Sequence, residues 1–305
     1  MKRLAWIAGS SAALALGGRV AGAQELTPLD VAYAGSMGSM MEGPIKAGAA
    51  QTLHVAFQGR AQGSDALANL ITGGSITPDV FVPVTPGPML TVLRGGKATR
   101  AVPVARTEMV IAYSQKSKYA PQFADAVAGK SGAMPWWQIL EQSDLHFGRT
   151  DPLTDPQGRN IIFTLQLAEA YYKQPGFTAK VLGPTINPAQ IFSEPTVQAR
   201  LQSGELDAAS AYKIQPGPFH LPYLRLPDEI NLGNGTLRDR YATATLDLGG
   251  KTFHPEPLVY YAAALNDAAH KDKAQAFVAW LAGGAQPVFS RYFYDPPTGA
   301  TPLGA

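Results

Sequence analysis

The sequence predicts an α/β protein built as two lobes, and three observations lead to that class. Short apolar strands alternate with helices along the first third of the chain, the pattern of a parallel sheet with crossover helices. Once an N-terminal segment is set aside, roughly 280 residues remain, ample for two α/β lobes. Two further strands, 107–114 (TEMVIAYS) and 258–265 (LVYYAAAL), stand where the chain can pass from one lobe to the other and back. The expected division is residues 24–112 with 257–305 as lobe 1, and 113–256 as lobe 2.

The N-terminus begins Met1-Lys2-Arg3, runs through an apolar stretch over 4–16 and reaches Ala21-Gly22-Ala23 before Gln24. This is the layout of a signal peptide with an A-x-A cleavage site, so residues 1–23 are expected to be removed and the protein to be periplasmic or secreted. The apolar stretch is too short to span a membrane, and no later run approaches the required length. Cleavage takes Lys2, Arg3 and Arg19, so 25 basic residues become 22 against 23 acidic ones, a formal charge of about −1. The basic residues are scattered, which leaves no electrostatic footprint for nucleic acid. Cysteine is absent, so the lobes depend on their cores rather than on disulfides, and no lipid-bearing cysteine is present.

Taken in order, 29–34 (LDVAYA) reads as a strand, followed by a Gly35-Ser36 turn and a helix with Met40, Met41 and Ile45. A second strand over 54–57 leads through a polar QGRAQGS loop to a helix over 65–71, beginning just after Gly63-Ser64. A third strand covers 79–84, and 86–96 is a short helix closed by Gly95-Gly96. The GGKAT at 95–99 is no phosphate loop, because Ala98 stands where a hydroxyl is needed and Thr91 where the first glycine belongs. Residues 135–142 (PWWQILEQ) form a short helix whose Trp136 and Trp137 supply core. Residues 187–203 read as a helix with an internal Pro195, and 206–212 as a strand of small residues that leaves room for a ligand or a neighbouring backbone. Gly249-Gly250 signals a hairpin, and 271–281 and 287–293 are terminal helices.

The stretch His146 to Tyr172 carries the strongest local signal. After a short strand and two Asp-Pro steps, Ile161, Leu165, Ala168 and Tyr172 recur at helical spacing, so one face of a helix is buried. Asp155 before Pro156 fits an N-cap followed by proline at the first helical position, and Gly158 permits close approach of another group to the backbone. A helix N-terminus offers unpaired N–H groups and a positive dipole end, which suits an oxyanion equally well as self-capping by Asp155. Ser36 and Ser64 also stand at strand-to-helix junctions, where each is either an ordinary N-cap or a donor to the same anion. Three such junctions facing one cleft would surround an oxyanion with neutral donors.

Signals for catalysis are weak. His54, His146, His220, His254 and His270 are dispersed without metal-ligand spacing, and neither a G-x-S-x-G elbow nor an S-x-x-K motif occurs. Asp151 and Asp155 both precede proline, a setting in which carboxylates serve turns and caps. The chain is read as a non-enzyme that requires no cofactor.

The AGS at 34–36, GS at 63–64, VIAYSQKSKYA at 110–120, WWQILEQSDLHFGRTDPLTDPQGR at 136–159, LQLAEAYY at 165–172 and LQSGELDAASAY at 201–212 together resemble the tungstate/molybdate-binding proteins of ABC transporters. These form an archaeal-type branch of the type II periplasmic binding proteins. The likeness covers most of the chain beyond residue 23, and FGRTDPLTDPQGR is its most specific block. It implies two lobes of mixed sheets flanked by helices, a hinge between them, an oxyanion in the cleft, and a monomer that delivers its ligand to an ABC permease. Other anions (phosphate, sulfate, a small organic anion), a sensory role without a transporter and, more remotely, a secreted hydrolase are the alternatives.

Carried over by residue, the resemblance makes Gly35, Ser36, Gly63, Ser64, Asp155, Gln157, Gly158 and Tyr212 the expected ligand-binding set, with Asp155 approaching the metal of a bound molybdate or tungstate. The family's second carboxylate, a glutamate before Tyr212, is replaced by Ala211, which lowers the expected coordination of the metal below six. A carboxylate facing a dianion at about 4 Å is repelled by about 4 kcal/mol at an effective dielectric of 20. Asp155 must therefore ligate the metal, accept a ligand proton, or turn away to cap its helix.

Overall fold

The computed structural model describes residues 25–304, so the signal-peptide expectation for 1–23 lies outside the described residues. Strand β1 (Thr27–Ala34) enters a helical segment over 35–53. That segment loosens into a π-turn at Met41–Ile45, where Pro44 lacks the N–H that a regular α-helix needs. Strand β2 (Val55–Gln62) pairs in parallel with β1 along its whole length, so most of the expected QGRAQGS loop is strand. The sequence reads as loop because β2 is an edge strand whose polar residues stay exposed. A helix over Ser64–Thr72, strand β3 (Val80–Val82), a helix over Pro86–Arg94 and strand β4 (Val102–Arg106) complete this pass.

The chain then changes sheets. Strand β5 (Met109–Tyr113) belongs to a second sheet with β6 (Phe147–Gly148), β7 (Ala208–Tyr212) and β8 (Tyr223–Arg225), in the order β6-β7-β5-β8. A hairpin of β9 (Leu246–Leu248) and β10 (Lys251–Phe253) turns on Gly249 and Gly250, both with positive φ. Strand β11 (Val259–Ala264) returns to the first sheet, whose order is β2-β1-β3-β11-β4. The first three strands of that sheet run parallel, and β11 is antiparallel to both neighbours, so the sheet is mixed.

The passage between sheets falls at Thr107 and Glu108, before the expected boundary at 112/113. Residues 109–113 lie inside the second sheet, where β5 is hydrogen-bonded on both edges, to β7 and β8. Glu108 is fully buried at the passage; Arg225 Nε and Nη2 donate to its two oxygens at 2.6 and 3.0 Å, and Asn231 Nδ2 at 3.2 Å. Close by, Lys213 pairs with Asp295, tying the end of β7 to the C-terminal segment.

Three helices, Ala120–Val127, Phe177–Leu182 and Arg238–Tyr241, and strands β4 and β8 go beyond the elements expected from the sequence. The helix expected over 187–203 begins at Glu194, which puts Pro195 in the first turn, where its missing N–H costs nothing. Trp136 and Trp137 serve as core: Trp137 stacks on Tyr172 at 4.0 Å between centroids, and Trp136 meets Phe177 edge-on. Among the described residues, no helix is long and apolar enough to cross a membrane.

Candidate functional site

Between the two sheets lies a cleft of about 740 Å³. One wall is formed where β1 and β2 give way to helices, and it presents Gly35, Ser36, Gly63 and Ser64. The other wall belongs to the second sheet and presents Asp155 and Gln157 from the start of the Pro156–Tyr172 helix, with Tyr212 from the end of β7. The tertiary structure thus gathers seven of the eight expected residues around one space. Gly158 is the exception.

Neither serine caps a helix. Ser64 Oγ accepts the Val84 N–H at 3.1 Å, which leaves its hydroxyl proton free to be donated. Ser36 Oγ lies 3.0 Å from the hydroxyl of Tyr260, and the Ser36 carbonyl accepts from Tyr294 at 3.4 Å. Both phenols are deeply buried, and burial pushes each well above the ordinary tyrosine range, so they remain neutral donors. The opening N–H groups of both helices lack partners within the helix, so the wall is rich in neutral donors.

Across the cleft Asp155 is an N-cap with extended backbone, and its Oδ1 accepts the Gln157 N–H at 2.9 Å. Of the three roles open to this carboxylate, the structure displays the cap. Gln157 is 3 % exposed; its Nε2 donates to the Ser210 carbonyl at 3.1 Å and its Oε1 accepts from Gln215 at 2.8 Å. Its amide therefore anchors the helix start to β7. Tyr212 O–H accepts from Asn160 Nδ2 at 3.0 Å, and burial raises its phenol well above the usual value, so its own proton can be donated.

Gly158 does serve a close approach, but the approaching group is protein. A Cβ there would stand 2.4 Å from the Thr150 carbonyl oxygen and 2.7 Å from the Asp151 and Pro152 backbone. The glycine lets the loop over 150–152 lie against the helix start.

The cleft also includes residues that sequence reasoning missed. Thr150 is 2 % exposed and its hydroxyl has no hydrogen-bond partner among the described residues. Arg159 reaches the rim, where Nη1 donates to the Pro152 carbonyl at 3.0 Å and the guanidinium lies 4.7 Å from the Phe253 ring centre. His254, one of the dispersed histidines, is exposed and lines the opening.

Glu194, at the first position of its helix, also faces in. Burial pushes its carboxyl up; the adjacent Gln215 amide opposes the rise and the Asp155 carboxylate adds to it. It was hidden by the misplaced helix start, although Ser-Glu-Pro at 193–195 is a helix-opening signal of the same kind as Asp155-Pro156. Ala211 faces away from the cleft, in the small core under that helix with Val197 and Leu201.

Comparisons with known proteins fit this geometry. Residues 29–295 match the family model described as bacterial extracellular solute-binding protein. The molybdate/tungstate-binding protein WtpA of Pyrococcus abyssi is 30% identical over 292 residues, 87% of this chain and 83% of that protein. Its counterpart from Thermococcus kodakarensis is 32% identical over 200 residues, a match that spans 59% of this chain and 55% of that relative's length. Among solved structures, the substrate-binding domain of a putative molybdenum ABC transporter from Clostridium difficile aligns with a TM-score of 0.59 at 14% identity, over 88% of this chain and 98% of that one. The periplasmic molybdate-binding protein of Azotobacter vinelandii aligns with a TM-score of 0.54 at 18% identity, over 87% and 98%. At such identities the structural likeness speaks for the fold alone.

Proposed function

This chain belongs to the bacterial extracellular solute-binding protein family, and from that membership we propose that its cleft captures an oxyanion, molybdate or tungstate, for delivery to the permease of an ABC importer. The architecture, two mixed α/β layers with the site between them, is that of type II periplasmic binding proteins. One observation carries the reading: Ser36, Ser64, the Asp155–Gln157 helix start and Tyr212 surround one cavity. Those groups are neutral donors and helix N-termini, which hold a compact anion by dipoles without a cluster of cations. The names of the relatives in Pyrococcus and Thermococcus support the choice of molybdate and tungstate. On this reading the chain is an exported monomer that engages a permease, and the signal-like N-terminus supports export.

Calorimetric titration of the chain lacking residues 1–23 with molybdate, tungstate, sulfate, phosphate and citrate tests the reading. Tight binding of molybdate and tungstate with weaker binding of the rest is expected. Binding of citrate or phosphate in preference to both would replace the proposed ligand, and binding of none would remove the function.

A further inference from the structure

The charge lining the cleft has the wrong sign for a dianion. Asp65, Asp151, Asp155, Glu194 and Glu256 face Arg159 and His254. Three of these acids are tied to backbone donors: Asp151 Oδ1 accepts from Leu153 N at 2.9 Å, Asp155 Oδ1 from Gln157 N at 2.9 Å and Glu256 Oε2 from Gly87 N at 3.0 Å. Asp65 is exposed in the first turn of its own helix, where water and the helix dipole stabilise its charge.

Of the half-buried acids in the cleft, Glu194 alone has no ion pair and no backbone N–H partner among the described residues. It makes no hydrogen bond with Asp155. Its stem lies beside a small void that it shares with Ala211, Val197, Gln157 and Gln215, and the Gln215 amide, which donates to Gln157, is also a hydrogen-bonding neighbour of its carboxyl. A second, independent observation points to a ligand in the same wall. The Thr150 hydroxyl, buried without a partner, lines the cleft and is left for something outside the protein to satisfy.

Building on the oxyanion reading, we propose that Glu194 is a ligand-contacting residue that binds as the neutral carboxylic acid, donating its O–H to a ligand oxygen, so that capture of the dianion brings one proton into the cleft. Deprotonated, the same side chain would set a second charge against the ligand and repel it. The direction of its acidity agrees, since burial pushes the carboxyl up and Asp155 adds to the rise against the opposing Gln215 amide. The phenols that face it are neutral, and the basic groups stand further out. Tyr212, Tyr260 and Tyr294 are deeply buried phenols held above their usual range, while Arg159 and His254 sit at the rim. The proton comes from solvent and leaves with the anion on release, so charge and protons balance.

The test is calorimetry with molybdate, which carries no proton of its own near neutrality, in buffers of different ionisation heat from about pH 5 to about pH 9, where proton uptake reads the linkage. Wild type is expected to take up about one proton per molybdate in the upper part of that range, with affinity falling roughly tenfold per pH unit there. Glu194→Gln, which keeps a donor of the same shape, is expected to bind with no proton uptake and a flat profile. Glu194→Ala, lacking the donor, is expected to bind about tenfold or more weakly at every pH, likewise without uptake. Molybdate binding by wild type without proton uptake at any pH, or uptake retained in Glu194→Gln, overturns the proposal while leaving the oxyanion reading intact. If no variant and no pH gives molybdate binding, the oxyanion reading itself fails, and this proposal with it.

Discussion

At the scale of single residues, the serines and the carboxylates play opposite parts. Ser64 already accepts from Val84, so its remaining hydrogen is free for the proposed ligand, and Ser36 shares its hydroxyl with Tyr260. Loss of a donor to a charged acceptor costs about 1.5 to 3 kcal/mol, so Ser36→Ala and Ser64→Ala are each expected to weaken molybdate binding roughly tenfold to hundredfold in calorimetry. Asp155→Ala removes the N-cap and is expected to cost about 0.5 to 2 kcal/mol in urea unfolding, whereas Asp155→Asn keeps the cap acceptor and stays near wild type. Glu194 adds a pH signature to stability. Burial raises its pKa in the folded state, so its neutral form fits the fold at low pH and stability is lost as pH rises through the folded value. Glu194→Gln should therefore raise the melting temperature at alkaline pH and leave it unchanged in acid. An equal gain at both ends would show that the carboxyl is not desolvated.

Elements decide which of these groups can meet. The Pro156–Tyr172 helix is fixed at its start by three contacts of different kinds: the Asp155 cap, the Gln157 amide bonded to β7 and Gln215, and the backbone over 150–152 lying against Gly158. Gly158→Ala must push that loop or the helix start aside, because the atoms in the way are backbone and cannot rotate. Overpacking of this kind costs about 1 to 3 kcal/mol, and since the displaced loop carries Thr150 and leads to Asp155, a loss of molybdate affinity should accompany the lower melting temperature. Unchanged affinity in a destabilised Gly158→Ala protein would mean that the loop does not position the site.

On the scale of the whole molecule, the cleft lies between two sheets joined by few covalent passages, one at Thr107–Glu108 and the other in the segment before β11. We propose that the lobes close about these passages when the anion bridges the two donor walls, as hinged binding proteins do. X-ray scattering should then show a smaller radius of gyration with saturating molybdate than without it, and identical curves would count against closure. The Glu108 carboxylate is buried and depends on Arg225 and Asn231. Arg225→Ala is expected to cost about 1 to 3 kcal/mol in unfolding, because a buried charged acceptor loses its best donors.

What the sequence determined by itself was everything set by neighbours along the chain. The alternation of strands and helices, the start of the helix at Asp155-Pro156, the hairpin at Gly249-Gly250 and the packing role of Trp136 and Trp137 all follow from local spacing, turn chemistry and side-chain size. The matched blocks extended this to Ser36, Ser64 and Tyr212, which do meet in one cleft. What only the tertiary structure decided was which distant groups share a space. The sheet to which β5 belongs moved the crossing to Thr107–Glu108, because hydrogen bonds on both edges of a strand are made by segments far away in sequence. The same holds for Gly158, whose neighbour proved to be the Thr150 carbonyl, and for Glu194, which reads as one acid among many until its helix start is brought against the cleft. Burial and the field of nearby charges are properties of the assembled fold, and they make Glu194 a candidate ligand group.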